Sequence, residues 1–238
     1  MKKVLITGAN KSIGFETAKQ LLALGYYVYL GSRDLEKGEE AAKQLQSANV
    51  KAVQIDISNS QSIAEARKSI GELDVLINNA GISGGFPQDT HSTSIETIRE
   101  VFDTNFFGTI EVTIAFLDLL RKSPAPRIVN VTSGLASLTL HNDPTWQYYK
   151  VKGAAYGPSK TALNAYTVVL AYELKDTAFK VNVVDPGYTA TDFNHHSGPR
   201  NVTDAAADVV KFAILGTDGP SGMFYSVDNN HETGVSPW

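Results

Sequence analysis

The chain has 238 residues, 42% hydrophobic and 19% charged, enough to bury a sizeable core. A formal charge of −4 argues against nucleic acid or an anionic membrane as the main partner, and no apolar run approaches the ~18 residues of a membrane span. The absence of cysteine excludes disulfides, thiolate catalysis and cysteine-held metal. The opening "MKKVLITGAN" lacks the apolar core of a signal peptide, so a soluble cytoplasmic protein is expected.

Short β-rich runs alternate with longer helical patterns. In chain order the expected elements are a strand "KVLIT" (3–7), a helix over 13–24, a strand "YYVYL" (26–30) and a helix over 34–47. There follow "KAVQID" (51–56), a helix over 60–70, "DVLINN" (74–79) and a long helix over 94–121. The remainder reads as "RIVNVTS" (127–133), a helix over 157–175, "KVNVVD" (180–185), a helix over 203–215 and "MFYSV" (223–227). Several strands are apolar almost throughout, as parallel strands covered on both faces must be. Ser62 with Glu65 and Thr93 with Glu96 have the spacing of capping boxes. This alternation predicts an α/β fold of Rossmann type. Its doubly wound parallel sheet should have about seven strands, helices on both faces, and sites beyond the strands' carboxyl ends. No linker, repeat or low-complexity tract intervenes, so one domain over 1–238 is expected.

The segment 138–152, "LTLHNDPTWQYYKVK", breaks the rhythm. It is aromatic and shows no clean period. It reads as an insertion after the fifth strand, and Trp146, Tyr148 and Tyr149 suggest a lid along one side of a cleft.

Between the first strand and its helix lies "TGANKSIGF" (7–15). Gly8 permits a tight turn, and Gly14 lets the helix pack closely while backbone N–H groups approach a pyrophosphate. The spacing is not G-x-G-x-x-G, and S-adenosylmethionine binders on this architecture also use glycine turns. After the second strand, an NAD site would place a carboxylate on the adenosine ribose, but the strand-end residue here is Ser32. Arg33 follows it, Lys11 is expected on the other side of the same ribose, and Asp34 opens the next helix. Two cations facing a ribose favour a 2′-phosphate.

Proton chemistry is suggested by Tyr156 and Lys160, one helical turn apart in "AYGPSKTALNAY". Tyr148 and Lys152 share that spacing, so the pair alone does not decide. Helical context favours Tyr156: Pro158 suits a first turn, and a long helix with a broad apolar face follows. An ammonium about 4 Å from a phenolate is worth ~4 kcal/mol at an effective dielectric near 20 but only ~1 in water. Such a pair therefore needs a partly dry cleft. Ser133, ending "RIVNVTS", would present its hydroxyl at the sheet's carboxyl edge, with Thr132 as the alternative donor. Asn105 lies among apolar residues, and a buried asparagine must be hydrogen-bonded. Of the five histidines, the adjacent His195 and His196 read as solvated loop residues, and no metal site is expected.

Thr7-Gly8 with Gly14, "NNAG" at 78–81, Ser133, Tyr156 with Lys160, and "DPG" at 185–187 occur in order along the chain. Together they resemble the classical short-chain dehydrogenase/reductase family, in particular its carbonyl reductases, from residue 3 to the end. One departure is Ser12, which stands where the family usually has a third glycine, so a required positive φ there would be strained. The resemblance implies that Tyr156 donates a proton, Lys160 lowers its pKa and holds the nicotinamide ribose, Ser133 polarises the carbonyl, and Asn105 completes a water relay. It also implies a cofactor site formed by Gly8, Asn10, Lys11, Ser12, Ile13 and Gly14, by Ser32 and Arg33, by Asp56 and Ile57, and by Asn79, Ala80 and Gly81. Tyr156, Lys160, Pro186, Gly187, Thr189 and Thr191 would complete it, with Asp56 at adenine and Thr189 and Thr191 at the nicotinamide. The cofactor expected is NADPH/NADP+. The substrate expected is a small-molecule ketone or aldehyde, walled by segments 83–92, 134–150 and 188–200. The alternative is a non-catalytic NADP-binding sensor or scaffold, and monomer or homo-oligomer stays open.

Overall fold

A computed structural model describes residues 1–238. Seven parallel strands form one sheet in the order β3-β2-β1-β4-β5-β6-β7. They are β1 Lys3–Ile6, β2 Tyr27–Ser32, β3 Val50–Gln54, β4 Val75–Asn78, β5 Arg127–Val131, β6 Lys180–Asp185 and β7 Phe224–Ser226. The main helices are α1 Ser12–Ala23, α2 Leu35–Gln44, α3 Ser60–Ser69, α4 Ile95–Phe102, α5 Thr109–Leu120, α6 Leu138–His141, α7 Tyr156–Glu173 and α8 Val202–Ala213. The order reverses between β1 and β4, which puts the crevice for a ligand at their carboxyl ends.

Alternation along the strands explains the two-sided core. Leu5, Leu76, Ile128 and Val181 point into a cluster with Phe116, Leu120 and Leu170 from α5 and α7. Val4, Ile6, Val75, Ile77 and Val129 point the other way, toward Leu21 of α1 and Val209 and Phe212 of α8. Successive Cβ atoms of a strand face opposite sides, so near-continuous apolar runs fill both layers. No helix is long and apolar enough to cross a membrane.

Three local expectations need correction. The helix expected over 94–121 is divided by a π-helical turn at Asp103–Gly108. The reason is local packing: a Cβ at Gly108 would lie 2.2 Å from the Ile57 carbonyl oxygen, so the backbone runs hard against that loop. The α3 cap is Asn59, whose side chain accepts from Ser62 N–H, while the Ser62 hydroxyl accepts from Asp56 N–H. The α4 cap is Ser94, one residue beyond Thr93, and it accepts from Thr97 N–H.

Candidate active site

The first turn is built from both sides of the β1–β4 crevice. Thr7 Oγ1 accepts the backbone N–H groups of Asn79 and Ala80 at 3.0 and 3.1 Å. Asn79 Nδ2 returns two bonds, to Thr7 O and Gly8 O, at 2.9 and 3.0 Å. The "NNAG" motif thus clamps the glycine turn in register. Gly8 has φ +63°, and a Cβ at Gly14 would sit 2.6 Å from both Asn79 Nδ2 and Gly8 O, so neither position has room for a side chain. Ser12 takes φ +52°, the strained value that its place in the turn implied.

These residues fit a dinucleotide. Lys11 stands at the α1 N-cap in extended conformation and offers no side-chain acceptor, so the first N–H groups of the helix face the crevice without a cap. Such a turn is an anion cradle. On the adenosine side, Ser32 is buried and its hydroxyl donates to Asp34 O at 2.7 Å. Asp34 opens α2 as expected, accepting from Lys37 N–H at 3.2 Å. Arg33 is exposed. Asp56 Oδ1 closes a turn by accepting from Ser58 N–H and Ser58 Oγ at 3.0 and 2.7 Å, and Ile57 beside it is buried. The expected partnership of Lys11 and Arg33 needs correction: Lys11 Nζ lies 3.1 Å from Asp192 Oδ2, and the carboxylate also takes His196 Nε2 at 2.9 Å. Opposite charge on the loop after β6 draws Lys11 to that loop.

Past β6, the chain turns through Pro186 and Gly187, whose φ is +73° and whose missing side chain makes room for the Asp228 carboxylate. Thr189 is buried with its hydroxyl donated to Pro186 O at 2.9 Å, and Thr191 N–H donates to Asn194 Oδ1 at 3.1 Å. Arg200 clasps the loop, binding Pro186 O and pairing with Asp208 of α8.

Tyr156 begins α7, and its ring sits between Phe86 and Phe193, with centroids at 6.4 and 5.4 Å. Burial pushes its hydroxyl pKa up, the Asp185 carboxylate adds to the rise, and the Ser133 hydroxyl opposes it. Ser133 also caps a short turn by accepting from Leu135 N–H at 3.2 Å. Thr132, the other candidate, is buried and gives its hydroxyl to Asn164 Oδ1 at 2.7 Å. Lys160 is 4% exposed, donates from Nζ to Val131 O at 2.9 Å, and is lowered by burial to about 8. A Cβ on Gly81 would lie 3.4 Å from that Nζ and 3.1 Å from Asn105 Oδ1, so the three residues share one pocket.

Asn105 comes from the π-helical turn, a feature that re-aims a residue within an otherwise regular helix. Its Oδ1 accepts from Ile82 N–H at 2.8 Å, and its Nδ2 donates to Ile82 O and Ser159 Oγ at 2.9 and 3.1 Å. The side chain therefore ties the loop after β4 to α7.

Tyr148 and Lys152 do not face one another as a pair. Tyr148 OH donates to Asp228 Oδ2 at 3.1 Å, and Lys152 Nζ donates to His141 O at 2.8 Å. The insertion packs on itself and on the tail: Trp146 meets His141 and Tyr148 edge-to-face, Tyr148 meets Tyr188 edge-to-face, and Thr139 N–H donates to Trp238 O. His141 is anchored within the insertion. It is half-buried, Nε2 lies 2.8 Å from Leu135 O, and burial lowers its pKa.

One residue is missing from the candidates named by sequence. Gln88, 3% exposed, accepts both Ala155 N–H and Tyr156 N–H at Oε1, and donates from Nε2 to Ser83 O and Gly85 O. It caps α7 from another loop, where Ala155 offers no cap. The only sequence signal was a glutamine in a glycine- and proline-containing loop, which carries no spacing rule.

The short chain dehydrogenase pattern matches residues 2–201. A short-chain dehydrogenase, anuI, of Penicillium roqueforti is 38% identical over 97% of this chain and 94% of its own length. The structure of salutaridine reductase from Papaver somniferum superposes with TM-score 0.81 at 30% identity, covering 95% of this chain and all of that one. An NADPH-bound carbonyl reductase from chicken fatty liver gives TM-score 0.84 at 26% identity, covering 100% of this chain and 99% of that one. With this glycine turn clamped by "NNAG" and this extent of likeness, the chain belongs to the short-chain dehydrogenase family of oxidoreductases.

Proposed function

We propose that the protein is an NADPH-dependent carbonyl reductase that turns a small ketone or aldehyde into an alcohol. The observation that carries this reading is the buried Lys160 one helical turn from Tyr156 at the start of α7, with the Ser133 hydroxyl acting on that tyrosine's pKa. A reduced nicotinamide, when bound, supplies hydride to the carbonyl carbon. Ser133 holds the carbonyl oxygen, and Tyr156 gives its proton to that oxygen as negative charge develops. The raised Tyr156 pKa keeps the phenol protonated, and so able to donate, across the physiological range. Lys160, positively charged below about 8, stabilises the phenolate left behind and binds the nicotinamide ribose. Asn105 holds Ile82 and Ser159 in place and completes the relay that returns a proton to Tyr156.

The cofactor would lie along the α1 N-terminus, Gly8, Asn10, Ser12, Ile13 and Gly14, with Arg33 at a 2′-phosphate and Asp56 and Ile57 near adenine. Phe86, Tyr188 and Phe193, all partly exposed, give the substrate side an apolar rim. Loss of NADPH absorbance with an activated ketone such as 2,2,2-trifluoroacetophenone tests the reading. Tight NADPH binding without turnover over a panel of ketones and aldehydes would make it a sensor or scaffold.

A further inference from the structure

We propose that Asp185 is a positioning residue for the Ser133–Tyr156 pair: a buried carboxyl whose hydrogen bonds and contacts tie the segments after β5 and β6 to the end of β7. The proposal rests on the reductase reading above. Asp185 ends β6, is 4% exposed, and reaches each neighbouring segment. Its Oδ1 accepts from Gly187 N–H at 3.0 Å, on the loop that carries Thr189 and Thr191. Its Oδ2 accepts from Ser226 Oγ of β7 at 2.6 Å. The backbone of Gly134, next to Ser133, packs against the same oxygen.

A second observation converges on the same spot. Asn229 Oδ1 is buried without a hydrogen-bond donor, while its Nδ2 is occupied by Gly134 O and Ser236 Oγ. A Cβ placed on Gly134 would lie 2.9 Å from Asn229 Oδ1 and 3.0 Å from Asp185 Oδ2. Two acceptor oxygens thus lie against one face of Gly134, and neither has room for a side chain beside it. The groups that face the carboxyl are Asp228, Tyr148 and Tyr156, together with the polar partners named. Burial and Asp228 raise Asp185 to about 6, against the hydrogen bonds that favour its charged form. Ionised Asp185 in turn raises Tyr156, so protonating or neutralising it makes Tyr156 the stronger acid.

Asp185→Asn tests this twice. In 1-phenylethanol oxidation with NADP+, which requires the phenolate, the rising limb of kcat/KM against pH should move down by at least ~0.5 unit, because the repelling charge is gone. A merely structural role would lower the rate without moving the limb. Without cofactor, the melting-temperature advantage of Asp185→Asn over the unmodified chain should grow as pH rises from about 4 to 7. The unfolded carboxyl ionises first, so the raised group costs stability as pH climbs. Should Asp185→Asn fail to fold, Ser226→Ala is the second variant: losing that bond to the carboxylate should move upward the Asp185 inflection in the melting profile, expected near 6 in the unmodified chain. An unmoved limb, or a melting difference that ignores pH, overturns the proposal. Absence of turnover in the unmodified chain overturns the reductase reading, and the melting comparison then still decides whether Asp185 carries the buried charge assigned to it.

Discussion

Gln88 Oε1 accepts the backbone N–H of Tyr156 at 3.0 Å, so the loop after β4 caps the helix that presents the candidate proton donor. A helix start buried without an acceptor leaves orphan N–H groups, and Ala155 has no side chain to serve them. Gln88→Leu keeps the volume and removes both acceptor and donor. It should cost about 1–3 kcal/mol, the scale of buried polar groups left unpaired. Turnover should fall as well, with little change in NADPH affinity, since the residue touches the start of α7 and not the glycine turn. Thermal melting and NADPH titration check this. A variant with unchanged melting would show that water serves these groups as well as Gln88 does.

Tyr156→Phe keeps the ring packed against Phe86 and Phe193 and removes the hydroxyl. Turnover should fall by at least ~100-fold with NADPH binding retained, the scale of general acid catalysis. Tyr148→Phe should keep most activity, because its hydroxyl is engaged with Asp228. Steady-state rates of the two variants side by side decide between the pairs; a dead Tyr148→Phe would reverse the assignment.

Strand and helix positions were legible because each strand's apolar run had to fill two core layers, and because Asp34 and Pro158 mark helix starts by local chemistry. The glycine turn was legible for the same reason, down to the strain at Ser12. What escaped depends on contacts between distant segments. The π-helical turn follows from Gly108 meeting the Ile57 carbonyl, which no helical periodicity reveals. Lys11 turned to Asp192 because of a loop far along the chain, and Gln88 acts on a helix that sequence placed correctly but could not cap. The charge on Asp185 is likewise a product of assembly, since burial between β5, β6 and β7 perturbs it and "DPG" in isolation does not.

Lys160 sets opposite pH trends for activity and stability. Its folded pKa is depressed from 10.5 to about 8 by burial, so the native state gives up this proton first. Between those values the unfolded chain binds more protons, and the contribution of this group to stability rises with pH. Activity should do the reverse: kcat/KM for NADPH should fall as pH climbs through about 8 and Lys160 loses its charge. Lys160→Met should melt higher at neutral pH and turn over at least ~100-fold more slowly. Melting and rate profiles of both proteins over one pH series provide the check; a Lys160→Met variant that melts lower would contradict the buried-charge account.

The last prediction concerns the cofactor's 2′ position. A carboxylate at the end of β2 would accept from the ribose 2′-hydroxyl of NAD. Here that residue is Ser32, whose hydroxyl is spent on Asp34 O, and the Asp34 carboxylate is spent on the α2 cap. Arg33 stands exposed beside them with a planar fork suited to a phosphate. Preference for NADPH over NADH should therefore reach at least ~100-fold in kcat/KM, about 2.7 kcal/mol. Arg33→Ala should lose NADPH affinity and leave NADH nearly unaffected. Lys11 is restrained by Asp192, so Asp192→Asn should release it and tighten NADPH binding further. That variant separates a one-cation site from a two-cation one: a gain that Lys11→Ala abolishes assigns the second contact to Lys11. Affinities of the four proteins for both cofactors, measured by fluorescence titration at fixed salt, settle the point. Equal use of NADH and NADPH by the unmodified chain would contradict it.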